Sequence, residues 1–413
     1  MGDCCSSPGL MPVEEAKAKI LATVKPLTEF RMVPVDQALG LILAEDQVAQ
    51  TAVPPADNSA MDGYAIRYAD LSEGDSTTLT VSQRIPAGVA PQLLVEGTAA
   101  RIFTGAETPA NADTVVMQED CTVDGDTITF PNKEVEKQGQ HVRPRGQDLA
   151  EGSTVLQAGR RLLPQDLGVL ASVGVGEVKV VRPVKVAILS TGDELVEPGT
   201  PLQPGQIYNS NRAMLAGLLK GLNIEPVDVG FVEDTLEATK AALLSAAKQA
   251  DVIMTTGGVS VGEEDHVKPA VEQLGSIDLW KMAIKPGKPL AYGEVEGTPF
   301  FGLPGNPASA FVTFLVVARE YLLAMQGAKE LAPLSIMAQA NFSLKKGGKR
   351  KEYFRARLSV DEQGRNQVNL YDNQSSGVLS SASWGNGLAV VEMDQLVTTG
   401  DTIEFIPFAS LLG

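Results

Sequence analysis

The chain has 413 residues, 44% of them apolar and only 5% aromatic, which allows two to four domains with aliphatic cores. A formal net charge of −17 argues against a general binder of nucleic acid or anionic membrane, which needs a cationic face. Cys4, Cys5 and Cys121 offer no disulfide framework, and His141 and His266 alone make no histidine-rich metal site.

Residues 12–25 read as a helix, and no apolar run of signal-peptide type precedes them, so a cytoplasmic protein is expected. A second helical stretch covers 35–39. From 48 to 142 short β-like runs (78–81, 114–117, 127–130) alternate with Gly, Asp and Pro, and Asp124-Gly125 reads as a hairpin turn. Helical and extended pieces return at 143–180. Length and texture make 48–142 a β-rich insertion, with 1–47 and 143–180 packed together as a helical and extended linker domain.

Residues 181–327 alternate strand and helix. Strands are expected at 184–189, 225–231, 251–255 and 299–303. Helices are expected at 211–222, at 234–250 with Asp234 in the cap role, and from Pro307 to about Leu323. This alternation is the mark of a doubly wound parallel sheet, which binds ligands at the carboxyl ends of its strands. The longest apolar stretch, 308–318, is about half of a membrane span. From 328 to 413 β texture returns, at 353–360, 388–391 and 402–405, as a barrel or sandwich. The expected fold class is α/β and β multidomain: a doubly wound parallel α/β sheet domain, a β-rich inserted domain and a C-terminal β-barrel-like domain.

Three strand-end loops carry chemistry. After 251–255 comes Thr256-Gly257-Gly258-Val259-Ser260-Val261-Gly262-Glu263-Glu264-Asp265. Small residues let backbone amides approach a phosphate, and the acidic triplet suits a hard cation that bridges phosphates. Asp265 is the preferred member, and a plain glycine-rich turn competes with this reading. Ser190-Thr191-Gly192-Asp193-Glu194-Leu195 brings two carboxylates to a second strand end, where a capped turn competes. Pro304-Gly305-Asn306-Pro307 opens a long apolar helix, whose free N–H groups attract anions, though Pro307 also suits a simple helix start. If 281–285 is extended, Lys281 and Lys285 share one face and suit an oxyanion. Arg355 and Arg357 alternate on one strand and point to an anion in the cleft. The basic run 345–351 reads as a solvated hairpin.

Together with Asp57-Asn58-Ser59-Ala60-Met61-Asp62-Gly63-Tyr64-Ala65, Thr104-Gly105-Ala106 and Lys285-Pro286-Gly287-Lys288-Pro289, these loops resemble the molybdopterin molybdenumtransferase (MoeA) family, which includes the gephyrin E domain. The motifs occur in the family's order over nearly the whole chain, with the C-terminal domain matching loosely through Glu352-Tyr353-Phe354-Arg355. The resemblance implies that molybdate is inserted into adenylylated molybdopterin and AMP leaves. It implies a homodimer with the site between subunits, Asp62 and Thr104 of one meeting the Gly-rich loop of the other. Gly257, Gly258, Ser260, Asn306 and Pro307 would hold pyrophosphate and pterin. Glu194, Asp234 and Asp265 would hold Mg²⁺. Lys281 and Lys285 would hold molybdate or phosphate, with Arg355 and Ser376 beside them. A molybdopterin adenylyltransferase would resemble 181–327 alone, and a gephyrin-like scaffold is a further alternative. Transient contact with the adenylyltransferase and with cofactor-accepting proteins is expected, and none with nucleic acid or membrane.

Overall fold

A computed structural model describes residues 10–258 and 266–412, apart from the side chains of 279 and 280. The central sheet runs, across its width, Glu225–Val232, Lys185–Thr191, Val252–Thr256, Thr298–Leu303, Pro289–Val295, Gly275–Lys281. Alternation along the strand Lys185–Thr191 explains its place in the middle. Val186 and Ile188 enter one core with Leu215, Leu219 and Phe314. Ala187 and Leu189 enter another with Leu243, Ala246 and Val271. Helices therefore cover both faces, as a doubly wound sheet requires.

The first four strands are parallel; Pro289–Val295 runs against them, and Gly275–Lys281 pairs antiparallel with it at the edge. That edge departs from the wholly parallel expectation for a simple reason. Strands Pro289–Val295 and Thr298–Leu303 are joined through Glu296 and Gly297, both at positive φ. Two residues form a hairpin and cannot provide the long crossover of a parallel pair. One cap also differs. Thr235, not Asp234, precedes the helix Leu236–Gln249, and its hydroxyl accepts from Ala238 N at 3.2 Å.

The chain then builds a closed five-stranded barrel. Lys351–Val360 pairs with Asn366–Leu370 on one side and with Gly387–Val391 on the other, and Ile336–Ala340 and Thr402–Pro407 complete the ring. Phe354, Ala356, Val368, Ala389 and Phe405 fill it. Tyr353, Leu388 and Val390 face outward into the core of the central sheet. A short strand, Ile284–Lys285, adds to the barrel edge beside Lys351 and Glu352.

Between 58 and 131 the sheet order is Thr114–Met117, Gly63–Ile66, Thr98–Ile102, Ser76–Ile85, Thr127–Pro131, Thr122–Asp124. Phe30–Pro34 pairs antiparallel with Glu177–Val181, and Gln47–Val48 with Thr154–Leu156, bracketing that sheet in sequence. Expected helix 35–39 is only a single tight turn, Val35–Gln37.

The helical run Pro307–Met325 is the main core element. It is long and apolar enough to cross a membrane, longer than the sequence stretch 308–318 implied, and 89% of its apolar window is buried inside the fold. A wide π turn, Phe314–Ala318, interrupts it. Arg319 then donates to the carbonyls of Leu331 at 2.7 Å, Leu411 at 2.5 Å and Ser410 at 3.2 Å.

Candidate active site

Loops after Thr191, Thr256 and Leu303 leave adjacent parallel strands and meet at one end of the sheet. There they wall a cleft of about 880 Å³, whose lining includes Glu194, Gly257, Gly258, Asn306, Pro307 and Ser376. The lining also takes in Lys285 from the strand on the barrel edge, Lys288 just before the sheet strand Pro289–Val295, and Arg350 just before the barrel strand Lys351–Val360. Among the described residues the cleft thus sets three cations against the single carboxylate of Glu194. In a protein of net charge −17 this is a local reversal that favours an anionic ligand.

Two glycines fix the approach. Gly258 has φ +67°, and a Cβ on it would stand 2.2 Å from Val267 Cγ2. Gly287 has φ +114°, and a Cβ there would stand 2.4 Å from Thr313 Cγ2. Both positions demand glycine on conformation and on space.

Lys285 Nζ lies 3.1 Å from both carboxylate oxygens of Glu352, which is 10% exposed. Arg350 donates to Ile284 O at 3.1 Å. Buried polar atoms without a hydrogen-bond partner gather here. Thr256 Oγ1, Asn209 Nδ2 and Asn211 Oδ1 belong to the lining, and Ser190 Oγ and Thr255 Oγ1 lie at the strand ends beneath. Asn209 Oδ1 accepts from Arg212 N, and Asn211 Nδ2 donates to Gly305 O, so one free donor and one free acceptor remain. Each such atom costs about 1–3 kcal/mol while unsatisfied, which a bound ligand or water relieves.

The helix start at Asn306 offers less than the sequence implied. Pro307 has no N–H, Ala308 N donates to Ser376 O at 3.0 Å, and Ser309 N donates to Asn306 O at 3.0 Å. The first amides are already spent on the fold, so this end presents side chains and a dipole but no bare cradle.

Other expected residues fall elsewhere. Lys281 ends the sheet's antiparallel edge strand, whereas Lys285 has crossed to the barrel edge; the extended face they were expected to share does not exist, and Lys281 is absent from the cleft wall. Arg355 is 1% exposed and does not line the cleft either. It donates to Ser381 Oγ at 2.9 Å and Ser375 O at 3.0 Å, holding the loop that carries Ser376. Burial lowers its pKa to about 10. Arg357 bonds the Trp384 carbonyl. Asp234 lies beyond the edge strand, outside the lining. Ser260, Glu263, Glu264 and Asp265 lie outside the described residues.

Asp62 and Thr104 come together away from this cleft. Thr104 donates to Asp62 Oδ1 twice, from N at 2.8 Å and from Oγ1 at 2.7 Å. The backbone bond, then the hydroxyl bond, lowers the pKa of that half-buried carboxyl. Beside them Phe103 carries the guanidinium groups of Arg84 at 4.7 Å and Arg101 at 4.6 Å.

As a metal site the described residues are sparse. They contain no group of three His, Cys, Asp or Glu side chains placed to hold an ion. One carboxylate in an anion-seeking cleft fits Mg²⁺ shared with ligand phosphates, and does not fit an all-protein cage.

Sequence reasoning missed Lys288, Arg350, Asn209 and Asn211. Lys288 stood inside a quoted motif and Arg350 inside a run read as solvated. The Asn-Ser-Asn start of the helix Ser210–Gly221 was the available signal for the other two.

Comparison with known proteins agrees along the whole chain. Residues 11–174 match the MoeA N-terminal region (domains I and II), 187–324 a probable molybdopterin binding domain, and 337–408 the MoeA C-terminal region (domain IV). The chain is 41% identical to the molybdopterin molybdenumtransferase of Haemophilus influenzae over 98% of this chain and 100% of that one. A Nostoc enzyme of the same name is 36% identical, over 87% and 84%. The crystal structure of a molybdopterin biosynthesis MoeA protein from Pyrococcus horikoshii superposes with a TM-score of 0.82 at 29% identity, covering 97% of this chain and 100% of that one. With all three regions matched in order and a relative this similar over its full length, the chain belongs to the MoeA family.

Proposed function

We propose that this protein is a molybdopterin molybdenumtransferase of molybdenum cofactor biosynthesis, inserting molybdate at the dithiolene sulfurs of adenylylated molybdopterin with release of AMP. The observation that carries the reading is the cleft wall of Lys285, Lys288 and Arg350 facing Gly257 and Gly258 at the strand ends. Cations on one side and close-approach backbone on the other suit two anions, an oxyanion and a diphosphate, in one space.

Lys285 and Lys288 draw in the oxyanion, and Glu352 fixes the Lys285 ammonium by its paired contacts. Gly257 and Gly258 bring backbone against the diphosphate, and Asn306, Pro307 and Ser376 wall the same space. Glu194, with Asp234 and Asp265 as further candidates, would hold Mg²⁺, which supplies charge compensation as the phosphoanhydride bond breaks. Asp62, kept ionised by Thr104, positions the attacking group from a second subunit. The reading includes a cytoplasmic homodimer whose subunits divide into 1–47 with 143–180, 48–142, 181–327 and 328–413.

The test is direct. Purified protein, adenylylated molybdopterin, Mg²⁺ and molybdate should yield AMP and mature cofactor together. Lys288→Ala should raise the KM for molybdate about tenfold or more, as loss of a charge-assisted contact does. Adenylylation of unmodified molybdopterin by ATP, with release of pyrophosphate, would instead assign the adenylyltransferase reaction.

A further inference from the structure

Residues 193–208 leave the strand Lys185–Thr191 and return to the helix Ser210–Gly221. They wall the cleft through Glu194, Leu195, Ile207 and Tyr208. No side chain among them is buried, and none joins a hydrophobic core. Their backbone bonds close on the segment itself or on its neighbour. Leu195–Val196 pairs with Ile207–Tyr208, Ile207 N donates to Glu194 O at 2.7 Å, and Asn209 N donates to Val196 O at 2.9 Å.

Behind the segment lies a second hollow of about 490 Å³, bordered by Glu197, Pro198, Arg212, Ala216 and Asp228. Arg212 spans it. One guanidinium nitrogen donates to Glu197 Oε1 at 2.5 Å, on the segment, and another bonds Asp228 Oδ2, on the sheet's edge strand. Asp228 is itself fixed, because its Oδ1 accepts from Gly230 N at 3.0 Å where the strand register shifts. Among the described residues, this is the hydrogen-bonded tie from 193–208 to the sheet.

A segment with no core anchor and open space on both sides opens easily unless something local holds it. We propose that residues 193–208 form a movable flap on the cleft, and that Arg212 is the positioning residue that latches it, through Glu197, to Asp228. Glu194 rides on this flap, so the latch sets where its carboxylate stands. Arginine suits the task because its planar fork reaches two carboxylates on opposite sides at once, as a lysine point charge does not. The kinetic consequence rests on the reaction proposed above; the latch does not.

Hydrogen exchange on the full chain without ligand tests it. In Arg212→Ala and Glu197→Gln, exchange across 193–208 should rise roughly fivefold, the scale of a partly exposed ion-pair bridge. Exchange in the strands Lys185–Thr191 and Val252–Thr256 and the Tm should hold. Arg212→Lys should restore part of the protection, and high salt should narrow the gap between wild type and Arg212→Ala. In the cofactor assay Arg212→Ala should raise the KM for adenylylated molybdopterin more than it lowers kcat. Unchanged exchange at 193–208, or an equal rise across the whole sheet, overturns the latch. Inactive wild-type protein would remove the proposed reaction and leave the exchange result to decide the flap.

Discussion

Gly258 shows how much one residue decides. At φ +67° a side chain costs about 1–2 kcal/mol from conformation alone. The clash with Val267 Cγ2 adds to that, because Val267 is buried against the second core and has nowhere to go. Gly258→Ala should therefore lower the urea midpoint and distort the diphosphate side of the cleft; an unchanged midpoint would mean the loop relaxes freely. Asp62 makes the other residue-scale case. Its folded pKa is depressed, so the carboxylate is fully ionised at neutral pH and protonates only as pH falls through that lowered value. Thr104→Ala removes the hydroxyl donor but keeps the amide. The Asp62 pKa, followed by carbon NMR, should move part of the way back toward the ordinary aspartate value, and any acid limb it governs should move up in pH with it. Gly258 was readable from sequence, because a glycine pair at a strand end announces itself locally; Asp62 and Thr104 came only through the family resemblance, since their stretches alone read as loops.

Elements were less evenly legible. The strands Lys185–Thr191 and Val252–Thr256 were plain, being short apolar runs buried on both faces. Strand Pro289–Val295 was not, because Gly293 and Glu294 break the apolar pattern and its partner is its own hairpin neighbour. Lys288 and Arg350 escaped for a related reason: they line one cleft because the chain crosses from the sheet edge to the barrel edge between Lys281 and Lys285. Arg355 belongs to this scale too, since it acts on a loop. Arg355→Met should loosen the 375–376 segment and, by stranding the Ser375 carbonyl and removing the donor to the Ser381 hydroxyl, lower stability by about 2 kcal/mol in denaturant unfolding. If Arg355 instead touched an anion directly, the variant would keep its stability and lose only ligand affinity. Arg319 ties three carbonyls near the final helix Phe408–Leu412 to the core helix. Arg319→Met should cost about 3 kcal/mol, with hydrogen exchange rising first at 408–412.

At the scale of the molecule, Asp62 and the cleft occupy different sheets of one chain. If they work together across a two-fold axis, two inactive variants should rescue one another. Mixing Asp62→Ala with Lys285→Ala after subunit exchange should recover about a quarter of wild-type AMP release, because half of the dimers would be mixed, each with one intact site. No recovery, or a monomer by light scattering, would place the whole reaction within one chain. The joining of distant pieces was the part least visible in the residues themselves, since pairing over hundreds of positions leaves no local pattern.

The first helix, Val13–Leu21, gives that long-range joining a temporal meaning. Its apolar face, Val13, Ala16 and Ile20, shares a core with Tyr321, Val390 and Leu411, and Lys17 bonds Glu320 across 303 positions. A ribosome makes about 5–20 residues per second. The helix therefore waits tens of seconds, exposed, before its partners emerge. An escort during translation would have its natural landing place on this early helix.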